Sequence, residues 1–102
     1  MCTTPSPMFP TGKVSGTRGF VALFPDKAAA SGFVVECLAR HTTGDYGTVE
    51  SASVKANNDA VAHGGRIFSS YVHKDHSERQ TLVWVITEAD RSSTAFLLPQ
   101  EY

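Results

Sequence analysis

The segment Val83–Tyr102 constrains the fold of this chain more than any other stretch. Two apolar runs, Leu82–Ile86 and Ala95–Leu98, flank a short polar connector, Thr87–Ser93. Apolar runs of this length with a turn-forming segment between them are typical of two strands joined by a hairpin. The sequence therefore predicts an antiparallel pair of strands here, with a cluster of charged and hydroxyl side chains between them.

The remaining elements are predicted from hydrophobic spacing. Gly19–Phe24 is a short apolar run, which predicts a strand. From residue 27 to residue 43 the apolar side chains recur at helical spacing, and Asp26 stands where a helix N-cap is expected. A second, shorter helix is predicted to end at His63, with Ser51 or Ser53 as its cap. Residues 1–18 are rich in Pro, Ser, Thr and Gly, and we predict a flexible tail there.

Three strands are predicted after the second helix. Arg66–His73 alternates between two faces, Thr81–Thr87 is apolar on both faces and is predicted to be central, and Ser93–Leu98 is the third. Because the connections are short, we expect an antiparallel meander. The predicted fold is α+β: residues 19–102 form one domain in which two helices pack on one face of a three- to four-stranded antiparallel sheet. Trp84 is predicted to be buried between sheet and helices.

Composition limits the partners that the chain can have. It has 102 residues with a net charge of −1, so it offers no global electrostatic reason to bind nucleic acid or an anionic membrane. Tyr46, Tyr71 and Trp84 could form a stacking platform for bases, but the near-neutral charge favours aromatic core residues instead. We therefore expect no nucleic-acid partner and no membrane partner.

Cysteine usage and the N-terminal segment indicate a compartment. Cys37 lies on the apolar face of the first predicted helix and is interpreted as a buried free thiol, whereas Cys2 lies in the predicted tail. The N-terminal segment has no apolar core of signal-peptide length, and no run approaches the roughly 20 apolar residues of a membrane span. We expect a cytoplasmic protein without a disulfide bond.

The hairpin connector is one candidate site. Glu88, Asp90 and Arg91, followed by Ser92, place two carboxylates and a guanidinium at the end of a central strand, where they could bind a polar partner. Alternatively, Asp90 or Ser92 bonds the local backbone, as turn residues do, and Arg91 pairs with a neighbouring carboxylate. The turn interpretation is favoured.

A second candidate site stands at the end of the first helix. Arg40 and His41 are followed by Asp45, so a His–Asp dyad suited to acid–base chemistry could form. Alternatively, Arg40 and His41 complement the negative end of the helix dipole, and this interpretation is favoured. We further hypothesise that the Arg40–Gly47 loop and the Glu88–Ser92 connector lie close together and form the functional surface.

A third cluster could bind metal. His73 and His76, with Asp75 between them, could supply two imidazoles and a carboxylate. They lie on a predicted exposed turn, and no further cluster completes the coordination. We therefore predict no metal site and no cofactor.

Four segments carry a family resemblance. They read LARHTTGDYG, the Asn57–Asn58–Asp59–Ala60 stretch, GGRIFSSY and WVITEADRSSTAFLLPQEY. In order and spacing they resemble a family of bacterial proteins of roughly this length that are encoded on plasmids and on integrating elements such as integrons or genomic islands. Tyr46 stands where that family usually has Trp. Some members carry a restriction-methyltransferase label, but this chain lacks the large sheet and Gly-rich cofactor turn of a methyltransferase.

The resemblance implies a mobile-element accessory protein and no particular activity. We expect a non-enzymatic interaction module that has a protein partner and could modulate a host system, and self-association stays open. The alternative is a small enzyme or ligand-binding domain that uses a polar pocket. The candidate binding residues are Arg40, His41, Asp45, Tyr46, Arg66, Glu88, Asp90, Arg91 and Ser92.

Overall fold

The computed structural model describes residues 7–75 and 77–102 and confirms the α+β class. Its elements are β1 (Lys13–Gly16), α1 (Arg18–Val21), α2 (Lys27–His41), α3 (Ser51–His63), β2 (Ile67–Lys74), β3 (Gln80–Thr87) and β4 (Ser93–Leu97), followed by a 3-10 turn at Pro99–Glu101. No helix in these ranges is long and apolar enough to cross a lipid bilayer.

The four strands form one sheet in the order β1-β4-β3-β2. β2 pairs with β3 and β3 pairs with β4, both antiparallel, so the predicted meander is confirmed. β1 pairs with β4 in parallel. The sheet is therefore mixed, and the prediction of a purely antiparallel sheet is wrong, because the fourth strand comes from the far end of the chain.

The prediction of a strand at Gly19–Phe24 is wrong. Its first part belongs to α1, a single helical turn that begins after the N-cap Thr17, whose hydroxyl accepts a hydrogen bond from the Phe20 amide. The Glu101 carboxylate accepts from the Gly19 amide at 3.0 Å and from the Thr17 hydroxyl. A contact from the other end of the chain thus stabilises a helical turn in a segment whose local pattern favours a strand.

The prediction of a flexible tail over residues 1–18 is wrong for residues 7–18, and residues 1–6 lie outside the described residues. β1 lies in this segment, and the Thr17 amide donates to the Phe96 carbonyl oxygen at 3.0 Å. Phe9 is buried against Tyr46. One buried aromatic ring and the pairing with β4 therefore order a segment whose composition alone favours disorder.

The two longer helices match their predicted positions, but only one cap was identified correctly. Asp26 caps α2, and its Oδ1 accepts from the Ala29 amide at 2.9 Å. The N-cap of α3 is Glu50, which makes no side-chain cap hydrogen bond, so neither Ser51 nor Ser53 caps this helix. α2 ends at His41, two residues earlier than predicted.

The inner face of the sheet packs against α1 and α2. Its main cluster consists of Phe20, Cys37, Tyr71, Val83, Val85, Phe96 and Leu98. Cys37 is a buried free thiol, as predicted, and burial raises its pKa to about 12. A smaller cluster joins α3 to the sheet and contains Phe9, Tyr46, Ala60 and Ile67.

The outer edge of β2 is bonded by other segments of the chain at Phe68 and Ser70. The Ser70 amide donates to the Tyr46 carbonyl oxygen at 3.1 Å, and the Thr48 amide donates to the Ser70 carbonyl oxygen at 2.7 Å. Further along the edge, the Asn57 carboxamide bonds both the amide and the carbonyl oxygen of Phe68, at 3.0 and 2.6 Å. A loop and a buried side chain therefore take the place of a fifth strand.

Candidate functional site

His41 is fully buried and lies in a chain of side-chain hydrogen bonds. Its Nδ1 is 2.5 Å from the Ser69 hydroxyl, and its Nε2 is 2.9 Å from the Thr87 hydroxyl. Thr87 continues the chain to the Thr94 hydroxyl at 2.7 Å, and Thr94 donates to the Thr11 carbonyl oxygen at 2.8 Å. The chain crosses the sheet from β2 to the segment before β1.

The direction of these bonds defines the tautomer of His41. Because the Thr94 proton goes to a carbonyl oxygen, Thr94 must accept from the Thr87 hydroxyl. Thr87 then accepts from His41 Nε2, and Nδ1 accepts from Ser69. Burial lowers the pKa of His41 to about 4, so the ring is neutral at neutral pH. Both nitrogens of this buried ring are engaged, which suits it to holding elements together.

Arg40 and Asp45 form an exposed ion pair. Arg40 Nε is 2.8 Å from Asp45 Oδ2, and Nη2 is 3.3 Å from Oδ1. The guanidinium also lies over the Tyr71 ring, 4.6 Å from its centroid. The hydrogen bond from Arg40 lowers the pKa of Asp45. Asp45 therefore pairs with Arg40 and forms no dyad with His41, while the neighbouring Tyr46 is buried in the smaller core cluster.

Arg66 precedes β2 and Glu88 follows β3, and their side chains form an ion pair where these two strands meet. Arg66 Nη2 is 3.3 Å from Glu88 Oε1, and Nη1 donates to the Tyr102 hydroxyl at 2.8 Å. The Tyr102 ring stands edge-on to Trp84, with the centroids 5.6 Å apart. These polar residues thus hold an aromatic side chain against the outer face of the sheet.

The turn interpretation of Asp90 is confirmed. Asp90 Oδ1 accepts from the Ser92 amide at 2.9 Å. The hydrogen bonds from Ser92 lower the pKa of the Asp90 carboxyl, which is exposed to solvent. Both residues therefore shape the β3–β4 connector locally.

The prediction that Arg91 pairs with a carboxylate is wrong. Its guanidinium donates to backbone carbonyl oxygens instead, namely those of Gly65 at 2.5 Å, Ala60 at 2.9 Å, Glu88 at 3.1 Å and Ala89 at 3.3 Å. It also lies 5.4 Å from the Phe9 ring centroid. Arg91 has a left-handed backbone with φ of 61°, which is uncommon for a residue with a side chain. The hydrogen bonds from its guanidinium to Ala60 and Gly65, at the end of α3, offset the energetic cost of this backbone conformation. Arg91 therefore has a structural role.

The two segments predicted to form one functional surface both reach Phe9. His41 packs edge-on to this ring at 5.3 Å between centroids, and Arg91 lies at 5.4 Å. No hydrogen bond or ion pair within residues 7–75 and 77–102 joins a side chain of Arg40–Gly47 to one of Glu88–Ser92. Among the described residues, none of the four cavities that we describe from the structure is lined by side chains of both segments.

Trp84 lies on the outer face of the sheet, so the prediction of its burial under the helices is wrong. Strand alternation sends Val83 and Val85 inward and Trp84 outward. Phe68 stands edge-on to Trp84 at 5.0 Å between ring centroids. A hollow of about 240 Å³ lies here, lined by Arg66, Phe68, Trp84, Ile86 and Tyr102. The alternating pattern of β3 contains this signal, but both of its faces are apolar, so periodicity could not assign one to the helices.

A larger groove lies between α2 and the β2–β3 hairpin. Phe24, Phe33 and His73 stack along it, and Glu36 and Asp75 stand at its border, around a volume of about 780 Å³. Within residues 7–75 and 77–102, no group of three or more His, Cys, Asp or Glu side chains could hold a metal ion. The predicted turn pair cannot be assessed, because His76 lies outside the described residues.

Neither protein-family models, nor curated proteins, nor solved structures match this chain.

Proposed function

We propose that this protein is a non-enzymatic interaction module, an accessory protein of a plasmid or integrating element that binds a protein partner in the cytoplasm and modulates a host system. The observation that carries the proposal is the aromatic outer face of the sheet, centred on Trp84. Tryptophan, tyrosine and arginine are the side chains that most often dominate the binding energy of protein interfaces.

The outer face combines an apolar centre with a charged margin. Val72 and Leu82 are directly opposed across β2 and β3, and their side chains are 43% and 44% exposed. They continue the apolar surface next to Trp84. Arg66 and Glu88 stand at its margin as an ion pair. An apolar centre with a polar rim is the usual anatomy of a protein–protein interface.

The alternative of a polar active-site pocket finds less support. Asp45 is paired with Arg40, His41 is enclosed in the core, and Arg91 is occupied by carbonyl oxygens. An active site would bring an acid, a base and a binding group to one cleft. These residues meet their hydrogen-bonding needs in three different places, which favours structural roles for them.

Affinity capture tests this proposal. The tagged protein is captured from its native host beside Trp84→Ala, and bound proteins are quantified by mass spectrometry. We expect the recovered amount of a specific partner to fall at least tenfold with Trp84→Ala, because removing a central aromatic anchor typically costs 2 kcal/mol or more of binding energy. Met8→Ala is the matched control, since Met8 is an exposed apolar residue that does not line the hollow at Trp84. Equal recovery by wild type and Trp84→Ala would contradict the proposal.

Trp84 also reports on binding directly, because it is the only tryptophan in the chain. Once a partner is identified, its addition should shift the Trp84 emission to shorter wavelength as the ring loses contact with water. An unchanged emission spectrum at saturating partner would place the interface elsewhere.

A further inference from the structure

We infer that the β1 edge of the sheet is an acceptor site for an extended peptide segment of a partner protein. The segment would add as a further strand beside β1 and insert alternate apolar side chains between β1 and α2. This is strand addition, in which main-chain hydrogen bonds supply affinity and pockets for alternate side chains supply specificity. The site is separate from the outer face around Trp84, so it stands independently of the proposed function.

The main-chain groups of β1 alternate in direction along the strand. The Thr17 amide donates to the carbonyl oxygen of Phe96 in β4, and the Lys13 amide donates to that of Ser92, the residue before β4, at 3.0 Å each. Successive residues of a strand direct their amide and carbonyl groups to opposite sides. The groups of Val14 therefore point away from β4, as do those of Gly16. Within the described part of the chain, β1 is the terminal strand of the sheet on that side.

An apolar groove lies beside this edge. A depression of about 330 Å³ lies between β1 and α2, and its lining includes Val14, Gly16, Val21, Ala30, Val34 and Val35. The only other lining residues are Phe20 and two serines, so no ionisable side chain lines it. Val14, Val21 and Val35 are 37%, 52% and 67% exposed.

The groove is on the inner side of the sheet, because Val14 and Gly16 are paired with Thr94 and Phe96 and the Val14 side chain lies on the same face as theirs. A strand placed next to β1 would send every second side chain into it, because side chains alternate between the two faces. The lining favours small, branched apolar side chains at those positions. The intervening side chains would point to the outer side, beside Lys13 and Ser15, and would be polar.

The charge beside β1 favours a foreign peptide over a second copy of this chain. Lys13 begins β1 and Arg18 follows its end, both are exposed, and neither forms a salt bridge with another described residue. Antiparallel pairing of β1 with the β1 of a second copy would bring Lys13 of each copy near Arg18 of the other. Like charges would then oppose each other. The complementary occupant is an apolar strand with acidic residues at its ends.

Amide hydrogen exchange measured by NMR tests the inference. The probe is a synthetic peptide that alternates valine and threonine and carries glutamate at both ends. In the free protein, the amides of Val14 and Gly16 should exchange rapidly, since they point to solvent. Saturating peptide should slow both at least tenfold, while the amide of Lys13, which already donates to Ser92, changes little. Unchanged exchange at Val14 and Gly16 with peptide in large excess would overturn the inference.

Two variants at one position provide the matched control. Val14→Pro removes the outward amide and leaves the bonds from β1 to β4 in place, so the fold, checked by its amide spectrum, should persist while peptide affinity falls at least tenfold. Val14→Thr keeps the amide and the branched shape and should bind within about threefold of wild type. Equal peptide affinity of Val14→Pro and wild type would overturn the inference.

A second peptide, with lysine in place of glutamate at both ends, tests whether the charge of the peptide ends matters. It should bind at least tenfold more weakly than the glutamate peptide at low salt, and the difference should shrink as salt rises. Protection of Val14 and Gly16 that grows with protein concentration in the absence of peptide would instead identify a second copy as the occupant and overturn the assignment.

Discussion

The two edges of the sheet differ in how their main-chain groups are satisfied. At the β2 edge, the Tyr46–Thr48 loop and the Asn57 carboxamide bond the outward groups of Ser70 and Phe68. At the β1 edge, the groups of Val14 and Gly16 point away from β4 beside an apolar groove, and no further strand follows β1 among the described residues. Natural proteins usually protect an edge strand against pairing with another chain. Among the described residues, other segments bond part of the β2 edge and no further strand covers the β1 edge. The β1 edge is therefore the one at which we propose strand addition.

At the β2 edge the backbone of Gly47 lies close to that of Ser70. We expect Gly47→Ala to be the most destabilising substitution at this edge. Gly47 has φ of 75°, and a Cβ at this position would lie 2.0 Å from the Ser70 carbonyl oxygen. Backbone strain plus overpacking predicts a loss of about 3–5 kcal/mol in the free energy of unfolding. Urea denaturation measures it.

Gly44→Ala is the control for that experiment. Gly44 also has a positive φ, 93°, but its nearest neighbour to an added Cβ is the Met8 methyl at 3.5 Å. Only the conformational penalty applies, so the loss should be about 1–2 kcal/mol. Equal losses in the two variants would show that the contact with Ser70 does not close the edge.

The hydrogen-bond chain through His41 connects the two edges and should make stability depend on pH. Burial lowers the pKa of His41 from 6.5 to about 4. Between these values the unfolded chain binds a proton that the folded protein excludes, so stability is complete above pH 6.5 and falls as pH drops towards 4. The total loss is about 3 kcal/mol.

Urea denaturation at several pH values between 7 and 4.5 checks this, with His41→Gln as the comparison. Glutamine can both donate and accept, so the variant should fold and lose most of the pH dependence in this window. The carboxyls of Asp45, Asp90 and Glu101 have lowered pKa values and contribute at lower pH. If the free energy of unfolding of the wild-type protein did not change between pH 6.5 and pH 4.5, the role given to His41 would be refuted.

Asn57→Ala should weaken the closed edge by a smaller amount. Asn57 is 3% exposed and bonds both main-chain groups of Phe68, so truncation leaves a partly buried amide and carbonyl oxygen without that partner. We expect a loss of about 2–3 kcal/mol. Hydrogen exchange of the Phe68 amide should accelerate at the same time. Asp59→Ala, an exposed site on the same helix, should stay within about 0.5 kcal/mol of wild type.

The open edge should tolerate a change that no interior strand would accept. Val14→Pro should cost less than about 1 kcal/mol, because proline is compatible with an edge strand whose amide faces solvent. Ser15→Pro removes an amide that faces β4, so it should cost about 1–3 kcal/mol because a ladder hydrogen bond is lost and its acceptor is left unpaired. Thermal unfolding of the pair measures the difference directly. If Val14→Pro were as damaging as Ser15→Pro, the β1 edge would not be open.

The candidate site could be predicted only in part. The Asp90–Ser92 turn follows from a local side-chain preference, and the sequence indicated it. The hydrogen-bond partners of Arg91 could not be predicted from the sequence, because Gly65 and Ala60 belong to a helix end that is distant from Arg91 along the chain. His41 was recognised as a helix-end residue, but its enclosure by Ser69 and Thr87 depends on the pairing of β2 with β3.

The α+β class, the two longer helices and the three C-terminal strands could be predicted from the sequence, because helical and strand periodicities recur within short windows of residues. Local patterns did not predict that the helices cover the face opposite Trp84, nor that residues 13–16 pair in parallel with β4. These outcomes depend on contacts between distant segments, such as those of Phe9 and Glu101. The energy of such contacts overrides local preference wherever the local signal is weak.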